Sequence, residues 1–406
     1  MITRCLMTFF LTGCVAVAMA QPLTDKQKQK AAKIHAEAFT VDTHADVPIN
    51  MMKEGFDVAQ EHDYETDGSQ IDFPRMKKGG MDAMFFAVYL GQGMRSAEAT
   101  AEAKQRALAI FDKIHQAVRD NPDIAGIATT AKDGYELQKQ GKRAVYFGME
   151  NGWPVGNDLA NLKQYYDLGL RYITLSHSAN NDICDSSTDP DGPEYNGLSA
   201  FGEEVVQEMN RLGIMVDISH VSDSTFYDVM RLTKAPAIAS HSSCRALCDH
   251  PRNMTDDMIR ALAKNGGVIQ INFVPSFVKK PSEQQELSMK AIRLKMRQVD
   301  LSEADKLALR EEMKAMREKY AKDVPTVAEA VNHIEHVIKL VGVDHVGIGM
   351  DMDGGGLVQG CRDVSEIGSI TEELVRRGYS AKDIRKIWGE NVMRVLTEVE
   401  KIAQKM

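Results

Sequence analysis

Short apolar runs recur along the chain, each bounded by turn residues and separated by stretches whose apolar positions repeat at helical spacing. Eight such runs predict strands over Phe39–Val47, Met81–Leu90, Ala144–Asn151, Leu170–His177, Ile214–His220, Ala237–Ser243, Gly267–Val274 and His345–Asp351. They are rich in Val, Ile, Phe and Tyr, and several are apolar throughout. Continuously apolar strands fit a parallel sheet covered on both faces. Helices are predicted between them, over Ala101–Arg119, Leu159–Leu168, Phe201–Leu212 and Thr255–Lys264. Thr255 is placed to cap its helix, and Thr326-x-x-Glu329 after Pro325 reads as a capping box. Eight strand–helix alternations predict an α/β fold, a (β/α)8 TIM barrel. A doubly wound open sheet is the structural alternative.

The stretch from Ser282 to Lys322 breaks this rhythm before the last strand. It is charged and helical in propensity, with Met289, Ile292, Met296 and Val299 at helical spacing. It is too long for a plain strand-to-helix connection. The expectation is a solvated helical excursion on the barrel rim, with a lid or an oligomer contact as alternatives. At the other end of the chain, Arg4 is the only charge before an apolar run from Cys5 to Ala20. The run closes on Ala18-Met19-Ala20, so residues 1–20 read as a signal peptide removed after Ala20. Residues 21–406 are then expected to form a single (β/α)8 metallohydrolase domain that includes the excursion, 282–322. Leu11-Thr12-Gly13-Cys14 offers a rival reading, a lipid anchor on Cys14. Either way the protein is expected to be exported, to the periplasm or beyond, and to have no membrane span.

The 406 residues are 43% hydrophobic and 26% charged, which supports a packed core and excludes wholesale disorder. The 49 basic side chains against 58 acidic ones, with no long basic block, point away from nucleic acid. After cleavage Cys184, Cys244, Cys248 and Cys361 remain, and an exported protein could pair them. Sequence does not choose among the pairings. Cys244 and Cys248 lack a second cysteine pair to complete a metal site, so bridges or buried thiols are expected instead.

The candidate chemistry lies where the strands end. In such a barrel the reactive groups gather at the carboxyl ends of the strands. The first run carries His44 and Asp46, which project from one face about 7 Å apart in an extended strand. Others end in Glu150, His177, His220, His241 and Asp351. Polar groups in apolar strands are costly unless paired or bound to metal. Imidazole nitrogens with carboxylate oxygens suit zinc or a similar divalent ion. Their number exceeds what one catalytic zinc needs, which suggests two metals and a bridging carboxylate.

Six ordered segments carry a family resemblance: Val41-Asp42-Thr43-His44-Ala45-Asp46, Gly148-Met149-Glu150-Asn151-Gly152, Leu170-Arg171-Tyr172-Ile173-Thr174-Leu175-Ser176-His177, Asp217-Ile218-Ser219-His220-Val221-Ser222, Ser240-His241-Ser242-Ser243 and Asp344-His345-Val346-Gly347-Ile348-Gly349. Together they resemble the membrane (renal) dipeptidase family of zinc hydrolases, over Phe39 to Asn391. The resemblance implies a barrel of the metal-dependent hydrolase type with two zinc ions per chain. It implies that His44 and Asp46 hold one metal, His220 and His241 the other, and that Glu150 bridges them. It also implies substrate-binding and acid–base roles for His177, Arg252 and Asp351, and allows a homodimer. Two departures bear on substrate preference. Gly349-Met350-Asp351-Met352-Asp353-Gly354 stands where the family has Gly-Ser-Asp-Phe-Asp-Gly, and the excursion is longer than in mammalian members.

The implied reaction is hydrolysis of a dipeptide amide by a metal-bridging hydroxide, including dipeptides with a D-residue at the carboxyl end. Catalytic roles fall to Asp351, His177 and Glu150: Asp351 relays the proton to the leaving amine, and His177 donates to the oxyanion. Arg252 clamps the terminal carboxylate. The enzymatic alternative is another binuclear amidohydrolase, an N-acyl amino acid deacylase or a lactonase; the non-enzymatic one is an exported solute-binding protein. Other signals carry less. His333 and His336 read as packing or surface residues of an amphipathic helix. The glycines around Gly347–Gly356 do not make a dinucleotide fingerprint. No Gly-x-Ser-x-Gly elbow is present. Trp153 and Pro154 shape the pocket or stiffen the loop after Glu150.

Overall fold

The computed structural model describes residues 22–296, 302–356 and 358–406. The expected signal segment, Cys14 and Val299 lie outside the described residues. Among the described residues there are nine strands: β1 (Val41–Ala45), β2 (Ala83–Tyr89), β3 (Ala125–Ile127), β4 (Arg143–Glu150), β5 (Leu170–Thr174), β6 (Met215–Asp217), β7 (Ile238–Ser242), β8 (Val268–Ile271) and β9 (Val346–Ile348). Eight pair in parallel in the order β1-β2-β4-β5-β6-β7-β8-β9, and β3 adds to the outside of β4. The chain beyond β9 returns to β1: Asp46 N donates to Met352 O at 2.9 Å, and Ala45 bridges Met352 in parallel. The barrel is therefore nearly closed, and the open-sheet alternative is excluded.

Alternation explains why these strands are apolar on both faces. In β2, Ala83 and Phe85 face the lumen while Met84, Phe86 and Val88 face the surrounding helices. In β4 the lumen face carries Ala144 and Tyr146, so the same parity continues through Gly148 to Glu150 at the carboxyl end. Helix Asn391–Ala403 plugs the opposite end with Val392, Val395, Leu396 and Val399.

The expected helices are present as Ala97–Asp120, Ala160–Asp167, Ala200–Leu212 and Asp256–Lys264. Thr255 caps the last of these, and the Thr326/Glu329 capping box is complete. The 282–322 excursion is two helices, Glu283–Met296 and Glu303–Lys319. They are tied by Lys295 and Glu312 at 2.7 Å, and each buries one apolar residue, Ile292 and Leu309. Among the described residues no helix is long and apolar enough to cross a membrane.

All eight predicted strands end earlier than expected, those ending in His177, His220, Val274 and Asp351 by three residues each. His177, His220 and Asp351 lie in the loops after β5, β6 and β9 rather than in the strands. His220 and Asp351 adopt left-handed backbone, φ +68° and +63°, which ends the ladder and re-aims the side chain. Strand β3 was not expected, because three residues carry too little periodicity.

Candidate metal centre

Glu150 sits at the last residue of β4 and is 3% exposed, facing groups delivered by four other strands or the loops after them. Its two carboxylate oxygens look at different partners. Oε1 lies 2.9 Å from His220 Nε2 and 3.3 Å from His241 Nε2. Oε2 lies 3.5 Å from His44 Nε2, which in turn is 3.6 Å from Asp46 Oδ2. Three potential ligand clusters converge here: His44, Glu150 and His241; Glu150, His177 and His220; and His44, Asp46 and Asp351.

The donor set fits divalent cations. His44 Nε2 and Asp46 Oδ1 are buried without a hydrogen-bond partner. The Nε2 atoms of His220 and His241 face one another at 2.9 Å. Two imidazole lone pairs at that distance repel unless a proton or a cation lies near them. Burial, with Arg252 nearby, holds the His220 and His241 imidazoles well below their ordinary pKa, in the neutral form that ligates metal. Burial also opposes charge on His44, yet Tyr172, Glu150 and Asp46 raise its pKa well above the ordinary value. The acids thus draw positive charge to this point.

Hydrogen bonds behind the imidazoles orient them. Ser240 Oγ donates to Asp217 Oδ2 at 2.6 Å, so it accepts from His241 Nδ1, 2.8 Å away. That leaves the Nε2 lone pair of His241 directed at the centre. Asp217 is held by Ser219 N at 3.0 Å, Ser240 N at 2.8 Å and the Thr174 hydroxyl. On the other side, His44 Nδ1 meets the Tyr172 hydroxyl at 2.8 Å. For His44 Nε2 to offer a lone pair, Nδ1 must carry the proton and donate to that oxygen.

The centre opens into a cavity of about 680 Å³ that also exposes His177, Arg252 and Asp351. His177 Nε2 is 3.8 Å from Glu150 Oε1. Asp351 Oδ2 accepts from Asn272 Nδ2 at 3.1 Å, and burial pushes its carboxyl up to about 8. Arg252 is 5% exposed, lies over the Phe277 ring at 5.5 Å and donates from Nη2 to His241 O at 3.1 Å. Its Nε is buried with no partner, and burial lowers its pKa to about 10, so it remains charged. Six of the eight residues singled out in the sequence therefore line one cavity, and His44 and His241 stand fully buried beside Glu150.

Tyr172, Asp217, Ser240 and Asn272 were not assigned roles from the sequence. Asp217 carried the same signal as the others, an acid closing an apolar run. Tyr172 carried the weaker rule that a buried phenol needs a partner. Away from the centre, Cys184, Cys244, Cys248 and Cys361 are buried free thiols, so no bridge forms among them. His333 accepts from Cys244 N at 3.0 Å and contacts Val278 O at 2.9 Å, a packing role as read.

Residues 28–406 match the family described as membrane dipeptidase, peptidase family M19. The dipeptidase verJ of Clonostachys rogersoniana is 32% identical over 394 residues, covering 95% of this chain and 90% of that protein. The crystal structure of the probable dipeptidase PvdM from Pseudomonas aeruginosa is similar, with TM-score 0.82, 30% identity and coverage of 93% of this chain and 99% of that one. A metallopeptidase from Rhodobacter sphaeroides, solved with a phosphinate mimic of the dipeptide L-Ala-D-Ala, has TM-score 0.71, 25% identity and coverage of 89% and 99%.

Proposed function

This chain belongs to the membrane dipeptidase family, peptidase family M19, and is a metal-dependent dipeptidase; from that premise we propose that it is an exported enzyme with two zinc ions, cleaving dipeptides that include those with a D-residue at the carboxyl end. The observation that carries the two-metal reading is the division of Glu150: one oxygen faces His220 and His241, the other faces His44, whose Nε2 stands 3.6 Å from Asp46 Oδ2. In this reading His44 and Asp46 hold one ion, His220 and His241 the other, and Glu150 joins them. Divalent ions held there would supply Lewis-acid polarisation of a carbonyl and a water activated near neutral pH.

The chain's own groups do the rest. Arg252, charged and with an unpartnered Nε, takes the substrate carboxylate in a bidentate pair. That anchor restricts the enzyme to short peptides with a free carboxyl end. His177 donates a hydrogen bond to the oxygen that gains charge in the transition state. Asp351, steadied by Asn272, would be ionised with cations beside it; it then accepts the proton of the attacking water and hands it to the leaving amine. Acceptance of a D-residue is supported by the L-Ala-D-Ala mimic held by the Rhodobacter sphaeroides relative. Export is supported by the apolar leader that ends at Ala20.

The test is one preparation, assayed and analysed together. The mature protein should begin at Gln21 and carry two zinc ions per chain. It should cleave L-Ala-L-Ala and L-Ala-D-Ala, lose activity to a chelator and regain it with zinc. Asp351→Asn should keep its metal and lose about 10²–10⁴-fold in kcat. Turnover of N-acyl amino acids or lactones without dipeptides, or an undiminished kcat in Asp351→Asn, would overturn the reading.

A further inference from the structure

The catalytic cavity does not end at the metal centre. A second chamber of about 430 Å³ lies between the excursion helices and the barrel rim. Val274, Ser276, Asp353 and Gly354 line both spaces, so the two meet at the loops after β8 and β9. At that junction Gly354 runs against the catalytic acids. A Cβ there would stand 2.1 Å from Asp46 Oδ2 and 2.2 Å from Asp351 Oδ1, so any side chain would displace those carboxylates. The far wall is Met289, Met313 and Met316, with Tyr320 buried at 7% exposed beside them. Methionine is flexible and polarisable, and adapts to irregular apolar shapes. The nearby Lys279 ammonium is engaged by Glu329 at 2.9 Å.

Orientation follows from the ends of the path. Arg252 lines the catalytic cavity and not the chamber, whereas Asp353 and Gly354 line both. With the substrate carboxylate at Arg252 over Phe277 and the scissile carbonyl at the centre, the amino-terminal residue lies beyond that carbonyl, on the side of the junction where Gly354 abuts Asp46 and Asp351.

We propose that the methionine-lined chamber beneath the excursion receives the amino-terminal side chain of the dipeptide, and so selects substrates in which that side chain is long and apolar. The proposal rests on the dipeptidase reading and on the Arg252 clamp. The excursion is thereby a specificity wall rather than a purely solvated appendage.

The zinc-loaded enzyme should be assayed on Gly-, Ala-, Glu-, Leu-, Met- and Phe-Ala, which share one carboxyl-terminal residue. The expected kcat/KM rises by about tenfold from Ala-Ala to Met-Ala and Phe-Ala, with Glu-Ala below Ala-Ala. Removing the whole excursion risks misfolding, so the variants are Met313→Glu and, as a milder pair, Met316→Ser with Met289→Ser. Each should draw the Phe-Ala to Ala-Ala ratio to within about twofold of one, with a melting temperature close to wild type. A flat series in the wild type, or a ratio unmoved in both variants, overturns the chamber. If none of the six dipeptides is cleaved, the dipeptidase reading fails instead, which is a separate result.

Discussion

At the scale of single residues, the centre depends on side chains that never approach the substrate. Tyr172 is fully buried, and its hydroxyl meets His44 Nδ1 at 2.8 Å. Ser240 and Asp217 hold His241 in the same manner. Each arrangement selects the tautomer in which Nε2 keeps its lone pair, and partners of this kind are worth about 10–100-fold in metal affinity. Tyr172→Phe keeps the ring and deletes only the oxygen, leaving the Nδ1 proton of His44 buried without an acceptor. The expected result is a zinc affinity about 10–100-fold weaker in competition with a chromogenic chelator, with the fold intact by circular dichroism. Zinc binding as tight as wild type would show that Tyr172 merely packs.

At the scale of elements, the position of Tyr172 is set by pairing between β4 and β5. Gly148 is the register partner of Tyr172, and the phenol crosses over it to reach β1. A Cβ at Gly148 would lie 2.0 Å from Tyr172 Cζ and 2.4 Å from its hydroxyl. Gly148→Ala must therefore push the ring aside. It should lower stability by about 1–3 kcal/mol in urea denaturation, and weaken zinc binding as Tyr172→Phe does. A variant with wild-type stability and affinity would remove the register argument. The strands themselves were readable in the sequence, because lumen and helix sides are both apolar and the runs are long. Strand ends were less readable: His220 and Asp351 turn into left-handed backbone, which neither hydrophobicity nor residue type announces. Strand β3, three residues that pair only with β4, left no periodic trace. The excursion was readable as helix, but its apolar spacing did not show that Met313 and Met316 would face a cavity shared with the rim.

At the scale of the molecule, the barrel gathers groups from distant parts of the chain, which is why the ligands were visible in the sequence and their supports were not. An acid or imidazole inside an apolar run stands out on its own. The link from Tyr172 to His44 spans 128 positions, and that from Asn272 to Asp351 spans 79, so neither is a local pattern. The same convergence has a thermodynamic consequence. Asp46, Glu150 and Asp351 are buried together, and the Nε2 atoms of His220 and His241 face one another. The native fold holds these repulsions in place, whereas the unfolded chain disperses them, so a cation that binds only the native arrangement must stabilise it. At a free concentration about 100 times the dissociation constant, one such ion contributes about 2.7 kcal/mol. Spread over a chain of this length, that is a rise of several degrees in melting temperature. Chelation should therefore lower the midpoint by about 5 °C and added zinc should restore it, with the rise growing as zinc increases. His220→Ala removes a ligand of one ion, so its zinc-dependent rise should be clearly smaller than wild type while some rise persists from the His44 and Asp46 side. An unchanged midpoint across the zinc series would mean that the converging groups are satisfied without a metal, and the two-ion centre would have to be abandoned.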